Sequence, residues 1–423
     1  MKILLLGAGG REHALAWKIC QSPQCEKLYI APGNPGTALC GENINIAATD
    51  FDKLAACCLD KKIDMVVVGP EDALVKGVVD YFATTDAVKH IPVIGPDKMA
   101  AQMEGSKTFA KAFMQRNNVR TPAYKEFSKE NIDPAKHYIN NHALPIVLKA
   151  DGLAAGKGVV ICDTHEQAIS ELQLMMSGKF GDAGNKVVIE QFITGLELTV
   201  IILTDGEDYL MFPPSKDYKK IGDGDTGLNT GGMGAISPPL FATEEFLLKV
   251  KEKIIQPTLD GLKKEGLMYK GFLYFGLFKF DDEPYVIEYN ARMGDPETQV
   301  ILPRIKNDMI DLFKAVAENT LGSKRLEIDE RACATVILAS HGYPGEFEKG
   351  KIITGLENVE DCLVFHAGTK TDDTNTLITS GGRVLAISAY GKDAEEALRT
   401  CYVNAGRVYF ESRYFRRDIG WDI

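Results

Sequence analysis

No apolar stretch in this sequence approaches the roughly 20 residues that a membrane helix needs, so no membrane partner is expected. The nine cysteines contain no CxxC pair, and Cys57 and Cys58 are simply adjacent. An odd number without a pairing pattern excludes a disulfide framework; the thiols read as reduced, in a cytoplasmic protein. Histidine is scarce, with seven residues scattered at no ligand spacing, which argues against zinc. Positive charge is in the minority. The net charge of −11 argues against an electrostatic footprint for DNA or RNA, although a local basic pocket remains compatible with it. The apolar run in "MKILLLGAGGREH" is too short for a secretory leader and runs into a Gly turn, so it reads as a first strand. Repeats, low-complexity tracts and disordered linkers are absent as well.

What remains is a globular chain of 423 residues, 45% hydrophobic, long enough for two to four domains. Residues 1–100 alternate short apolar runs with helical stretches, as in "KILLLGAGG", "KLYIAPGNPG", "MVVVGPED" and "IPVIGPDK". Buried β runs separated by helices predict a parallel α/β sheet, with ligands at the carboxyl ends of its strands. A single helix is expected over 103–119. Mixed β and helix follow over 144–203, then a Gly-rich segment at 215–238. Helices are expected over 242–266 and 304–320. Between them "GFLYFGLFKF" and "PYVIEYNARMG" read as a hairpin. The last section, from about 330, is β-rich, with a helix starting at an Asp393 cap with Glu396 three residues on.

The segment "KADGLAAGKGV" (149–159) places two lysines around Gly and Ala between two apolar strands, which points to phosphate. Spacing excludes a P-loop, because "GLAAGKG" is one residue short and Gly158 stands where the metal would want a hydroxyl. A dinucleotide fingerprint fails too. Gly7 and Gly9 are followed by Glu12 in the third Gly position, and the second strand ends "IAPGN" without the ribose acid. A strand, a Gly turn and a helix start still make an anion site, or a tight turn with no ligand. In "VIEYN" (286–290), Glu288 and Asn290 share a strand face, roughly 7 Å apart. Arg292 shares that face if the strand continues. A carboxylate and an amide oxygen suit Mg²⁺, which also takes phosphate oxygens. "VVIEQFITGLELTV" (187–200) reads as strand, turn, strand, with Glu190 and Glu197 as nucleotide candidates or as the ends of a polar hairpin.

Together these motifs resemble the ATP-grasp superfamily and, within it, the phosphoribosylamine–glycine ligase family. The resemblance covers nearly the whole chain. It rests on "GGREHALAWK", "APGNPGTA", "VVGPEDALVKGVVD", "KADGLAAGKGV", "GDGDTGLNTGGMGAISP", "GFLYFGL" and "RMGDPETQ", with "FHAGTK", "GGRVL" and "RRDIGW" near the end. It implies an α/β and α+β multidomain fold. An N-terminal parallel α/β domain would span 1–103 and an ATP-grasp domain 104–326, with a mobile lid subdomain at about 122–192. A β-rich domain would span 327–423. It implies ATP-dependent joining of glycine to 5-phosphoribosylamine through glycyl phosphate, in purine biosynthesis, with Mg²⁺ or Mn²⁺ and as a monomer. Alternatives are another ATP-grasp ligase on a purine precursor, using bicarbonate or formate, and a non-catalytic nucleotide-binding protein.

Carried over by position, Lys107 and Lys149 would contact the phosphates, beneath a lid containing Gly156 and Lys157. Glu190 and Phe192 would frame adenine and Glu197 the ribose. Glu288 and Asn290 would hold the metal. Arg292, Asp295, Glu297 and Asp217, with Lys149, would form the catalytic group beside Asn229, Gly231 and Gly232. Gly9, Gly10, Arg11, Gly33, Asn34, Gly69, Pro70 and Glu71 would hold the phosphoribosyl group. The chain departs from the family pattern at "GLE" (195–197), "GLNTGG" (227–232) and "SKDYKK" (215–220). "YFGLFKF" supplies no further metal acid on the preceding strand, so a second metal would be held mainly by ATP.

Overall fold

In the first strand, Lys2–Gly7, Ile3 and Leu5 enter one core while Leu4 and Leu6 enter another. Met65 and Val67 divide from Val66 and Val68 in the same way. Both faces of these strands are covered, as the period of two requires of a buried parallel sheet. Five parallel strands run in the order 42–43, 27–32, 2–7, 65–68, 93–96. The sheet then continues across the expected domain border. Tyr269 and Lys270 pair antiparallel with Pro96 and Gly95, and the same strand, Tyr269–Phe280, runs on between Leu196–Thr204 and Glu283–Asn290. Gly271 permits this, since its φ is +147° and a Cβ there would lie 3.1 Å from the Gly95 backbone.

The structure is a computed structural model that describes residues 1–152, 158–179 and 181–423. A separate four-stranded antiparallel sheet has the order 124–128, 186–191, 146–150, 159–162. Ile146, Leu148, Ala150, Val187 and Ile189 point into its own small core. Alternation therefore sends Lys149 and Glu190 to the opposite face. A third sheet has the order 216–217, 234–237, 332–340, 383–391, 363–366. Two strands of the Gly-rich segment thus belong to a sheet that is otherwise C-terminal. Among the described residues no helix is long and apolar enough to cross a membrane.

Most strand expectations match the structure, while two helix and two strand expectations do not. The helix expected over 103–119 is two helices, Gln102–Gly105 and Lys107–Arg116. Ser106 breaks it, with extended backbone and an Oγ that caps the second helix by accepting from Phe109 N. The helix expected from 304 starts at Met309, capped by Asp308. Glu190 and Glu197 do not flank a hairpin turn, because Lys186–Gln191 and Leu196–Thr204 lie in different sheets and 192–195 crosses between them. The strand carrying Glu288 and Asn290 ends at Asn290, so Arg292 does not share its face.

Candidate active site

The cleft between the four-stranded and nine-stranded sheets collects the lysines. Lys149, buried at the end of its strand, donates to Glu190 Oε1 at 3.1 Å and to the Ile287 carbonyl at 3.2 Å. Ile287 lies beside Glu288 on the strand Glu283–Asn290 of the other sheet, so this bond spans the cleft. Lys107, at the start of its helix, donates to the Gly152 carbonyl at 3.0 Å. Burial lowers the Lys107 pKa; Glu288 opposes the shift and Lys149 adds to it. Two ammonium groups and a carboxylate thus lie close enough to act on one another. Among the described residues no ion pair involves Glu288, which leaves its carboxylate open to a cation. Asp151 seals the base of the segment that follows Lys149. It accepts from Thr108 N at 3.1 Å and from Ser106 Oγ at 3.0 Å, closing the helix start that begins with Lys107. Gly156 and Lys157 lie outside the described residues.

Lys111 was not singled out from the sequence. It sits one turn beyond Lys107 and pairs with Glu190 Oε2 at 2.7 Å, both side chains being almost fully buried. Burial pushes its pKa down to about 8, against the pull of Glu190. The i,i+4 spacing in "SKTFAK" was the available signal. Lys111 and Lys149 both pair with the Glu190 carboxylate, which ties the helix and the small sheet together. The strand carrying Glu190 ends at Gln191, and the chain then leaves the small sheet through Phe192.

Glu197 Oε2 pairs with Lys219 Nζ at 2.6 Å, and Lys219 also donates to Asp217 Oδ1 at 2.9 Å. The two carboxylates outweigh burial and hold the Lys219 pKa well above its ordinary value. Glu297 is buried next to this group and accepts from Thr199 Oγ1 at 3.3 Å. Burial first, then Asp217, pushes its carboxyl up to about 7 while Lys219 pulls the other way. Asn229 ends the strand Thr226–Asn229, across from Lys220.

The third part lies where the N-terminal turns meet the loop after Asn290. Arg292 turns toward the N-terminal sheet, pairing with Glu104 Oε1 at 2.7 Å and Glu71 Oε2 at 3.2 Å. Arg11 pairs with Glu12 Oε1 at 2.6 Å and reaches Glu71 at 3.6 Å. Burial would raise Glu71, but Arg292 and Arg11 bring it down to about 2. Burial raises Glu104 to about 7, against Arg292. Glu12 fills the crevice where a dinucleotide would need glycine. Its Oε2 accepts from Gly9 N at 2.6 Å, and a Cβ at Gly7 or Gly69 would lie 2.4 or 2.3 Å from its side chain. Pro70 precedes the helix Glu71–Lys76 and so sets where Glu71 starts.

Asn34 is buried and fully engaged. Its Nδ2 donates to the Ala8 and His366 carbonyls at 2.8 and 2.9 Å, and its Oδ1 accepts from Gly36 and Thr37 N. The side chain orders the loop that Gly33, at φ +74°, begins. A Cβ on Gly10 would lie 3.6 Å from Asp295 Oδ1, which places the N-terminal turn against the Asp295 loop. Burial works against ionised Asp295, but Arg383 and Arg11 hold it below the usual carboxylate range.

Three family models match in chain order: phosphoribosylglycinamide synthetase N domain over residues 1–104, its ATP-grasp (A) domain over 105–298, and its C domain over 333–422. Phosphoribosylamine–glycine ligase of Escherichia coli strain K12 is 46% identical over 427 aligned residues, covering 100% of this chain and 98% of that protein. The Vibrio cholerae protein of the same name is 45% identical over the same coverage. The crystal structure of the Thermotoga maritima phosphoribosylamine–glycine ligase superposes with a TM-score of 0.86 at 35% identity, covering 99% of this chain and 100% of that one. The match runs through every part of the cleft just described, and the chain belongs to the phosphoribosylamine–glycine ligase family.

Proposed function

We propose that this protein joins glycine to 5-phospho-β-D-ribosylamine at the expense of ATP, giving N1-(5-phospho-β-D-ribosyl)glycinamide, ADP and phosphate in de novo purine biosynthesis. The observation that carries the reading is the meeting of Lys107 and Lys149 with Glu288 between two sheets, in a chain whose full-length relatives bear this name. ATP would lie in that cleft. Its adenine would sit against the backbone at 190–192, its ribose near Glu197 and its phosphates toward Lys107 and Lys149.

Glu288 and Asn290 fit a hard cation, since both offer oxygen and Glu288 carries no ion pair among the described residues. A bound Mg²⁺ or Mn²⁺ would supply charge neutralisation on the transferring phosphoryl group. A glycine carboxylate oxygen attacks the γ-phosphorus as the bond to ADP breaks. The sugar amine then attacks the carbonyl carbon of glycyl phosphate, and phosphate leaves with the bonding pair. Lys107 and Lys149 offset the repulsion between carboxylate and triphosphate. Glu297, whose carboxyl burial pushes up to about 7, would accept in its ionised form the proton that the amine loses. Glu71, kept ionised by Arg292 and Arg11, would accept from sugar hydroxyls beside the Gly9–Gly10 turn. We divide the chain near residues 103 and 327, with the four-stranded sheet as the body that hinges over ATP.

The test is phosphate release from ATP with Mg²⁺ and phosphoribosylamine generated in the assay, with and without glycine. Release that needs all three substrates is expected. Release with bicarbonate or formate replacing glycine would move the substrate, and ATP binding without turnover would leave only nucleotide binding.

A further inference from the structure

Arg383 opens the strand Arg383–Gly391 in the C-terminal sheet, at an irregularity where it pairs with Ala339. Its side chain leaves that sheet and reaches two loops far apart in sequence. Nη1 donates to the Gly231 carbonyl at 2.6 Å and the Asp295 carbonyl at 2.6 Å, with a longer contact to Gly232 O at 3.4 Å. Nη2 pairs with Asp295 Oδ2 at 3.3 Å. The loops themselves abut: a Cβ on Gly232 would lie 2.4 Å from Pro296 Cδ, and one on Gly231 would lie 2.9 Å from Arg383 Cζ. Glycine at both positions is what lets the guanidinium and the Pro296 ring approach. Tyr343, in the turn after the strand Ala332–Ser340, accepts from Gly231 N at 2.9 Å, so the C-terminal section holds both the N–H and the carbonyl of that residue. Asp295 in turn lies against the N-terminal turn, 3.5 Å from where a Gly9 Cβ would be.

We propose that Arg383 is a positioning residue for the ligation. It joins the 231–232 loop to the Asp295 loop and thereby sets the spacing between the glycine and amine subsites. This rests on the function proposed above. Two of its acceptors are backbone carbonyls on different loops, and its third partner is a carboxylate. A planar guanidinium spreads its donors over two nitrogens in a fixed fork that spans these acceptors, whereas an ammonium offers a single nitrogen. The C-terminal sheet would act through this side chain on the placement of glycine against the amine, leaving the nucleotide cleft alone.

The experiment compares Arg383→Ala, Arg383→Lys and the milder Tyr343→Phe with the full-length protein. With Arg383→Ala, kcat/KM for glycine and for phosphoribosylamine should fall about 100-fold, the effect of misplacing reacting groups by about 1 Å. The Kd for a non-hydrolysable ATP analogue should stay within about two-fold. Arg383→Lys should recover little, and added guanidinium ion should restore Arg383→Ala by about 10-fold or more. Amide exchange should rise at 230–233 and 294–297 and nowhere else. Tyr343→Phe should show the same pattern, smaller and confined to 230–233. Kinetics within about two-fold of the parent would overturn the proposal, as would ATP affinity and thermal midpoint falling in step with turnover without guanidinium recovery. If the parent protein itself fails to turn over the three substrates, the proposed function fails. The exchange measurement then still decides the loop joining, which unchanged protection at 230–233 in Arg383→Ala would overturn.

Discussion

Lys149 holds the most instructive position at the residue scale, because its ammonium already has partners without a nucleotide. It bridges Glu190 on its own sheet and the Ile287 carbonyl on the facing one. On the proposed function a phosphate would compete with these contacts, and the lysine starts from a defined geometry. Lys149→Ala should raise the KM for ATP by tenfold or more, on the order of the 1.4 kcal/mol or more that a charge-assisted contact supplies. Lys111 still pairs with Glu190 in that variant, so the fold should survive. Steady-state kinetics with circular dichroism would check both halves, and an unchanged KM and kcat would count against the phosphate role. Glu288→Ala makes a different prediction. Removing the carboxylate should lower kcat by about 100-fold or more at ordinary Mg²⁺, with partial recovery at high Mg²⁺. A near-normal rate at ordinary Mg²⁺ would refute the metal assignment.

At the element scale, the break at Ser106 couples a helix start to the strand exit after Lys149. Ser106 Oγ accepts from Phe109 N at 3.1 Å and donates to Asp151 Oδ1 at 3.0 Å. Ser106→Ala should cost about 1 kcal/mol of stability as a lost cap. It should also weaken ATP binding, because Lys107 is the first residue of that helix; urea titration and analogue binding would read the two effects. The periodicity over 103–119 concealed this break, since a serine with β backbone interrupts no apolar stripe. The strands were legible because Val, Ile and Leu alternate without interruption. Their partners were not: nothing in "VVIEQFITGLELTV" says that its two halves enter different sheets. The same limit applied to the site. Lys149, Glu288 and Asn290 stand out as polar residues on apolar strands. Lys111 shows in the sequence only as a lysine one turn from Lys107, while Glu104 and Arg383 acquire meaning from residues 188 and 88 positions away in the chain, which sequence spacing cannot show.

On the scale of the whole molecule, the N-terminal turns, the central loops and the C-terminal sheet close on one another, and the seam between first and last is built from neutral histidines. His13, on the first helix, accepts at Nδ1 from the His366 backbone N–H at 2.7 Å, and its ring lies edge-on to Phe365 at 5.5 Å. A proton on Nδ1 would destroy that bond. Burial, with repulsion from His366, holds His13 down to about 3, and burial holds His366 to about 4, against an ordinary 6.5. Both folded values lie below the unfolded one, so the unfolded chain takes up protons first as pH falls. Stability from this seam is fully present above about 6.5 and declines as pH drops toward 3 to 4. The steepest loss is about 1.4 kcal/mol per pH unit for each histidine. The urea midpoint should therefore fall between pH 6.5 and 4, and His13→Gln, whose amide oxygen can still accept from the His366 N–H, should flatten part of that fall. In the folded protein the His13 ring protons should show no titration between pH 8 and 5 by NMR. A His13 midpoint near 6.5 would mean that the ring is open to water and that the seam between the two ends of the chain is not closed in solution.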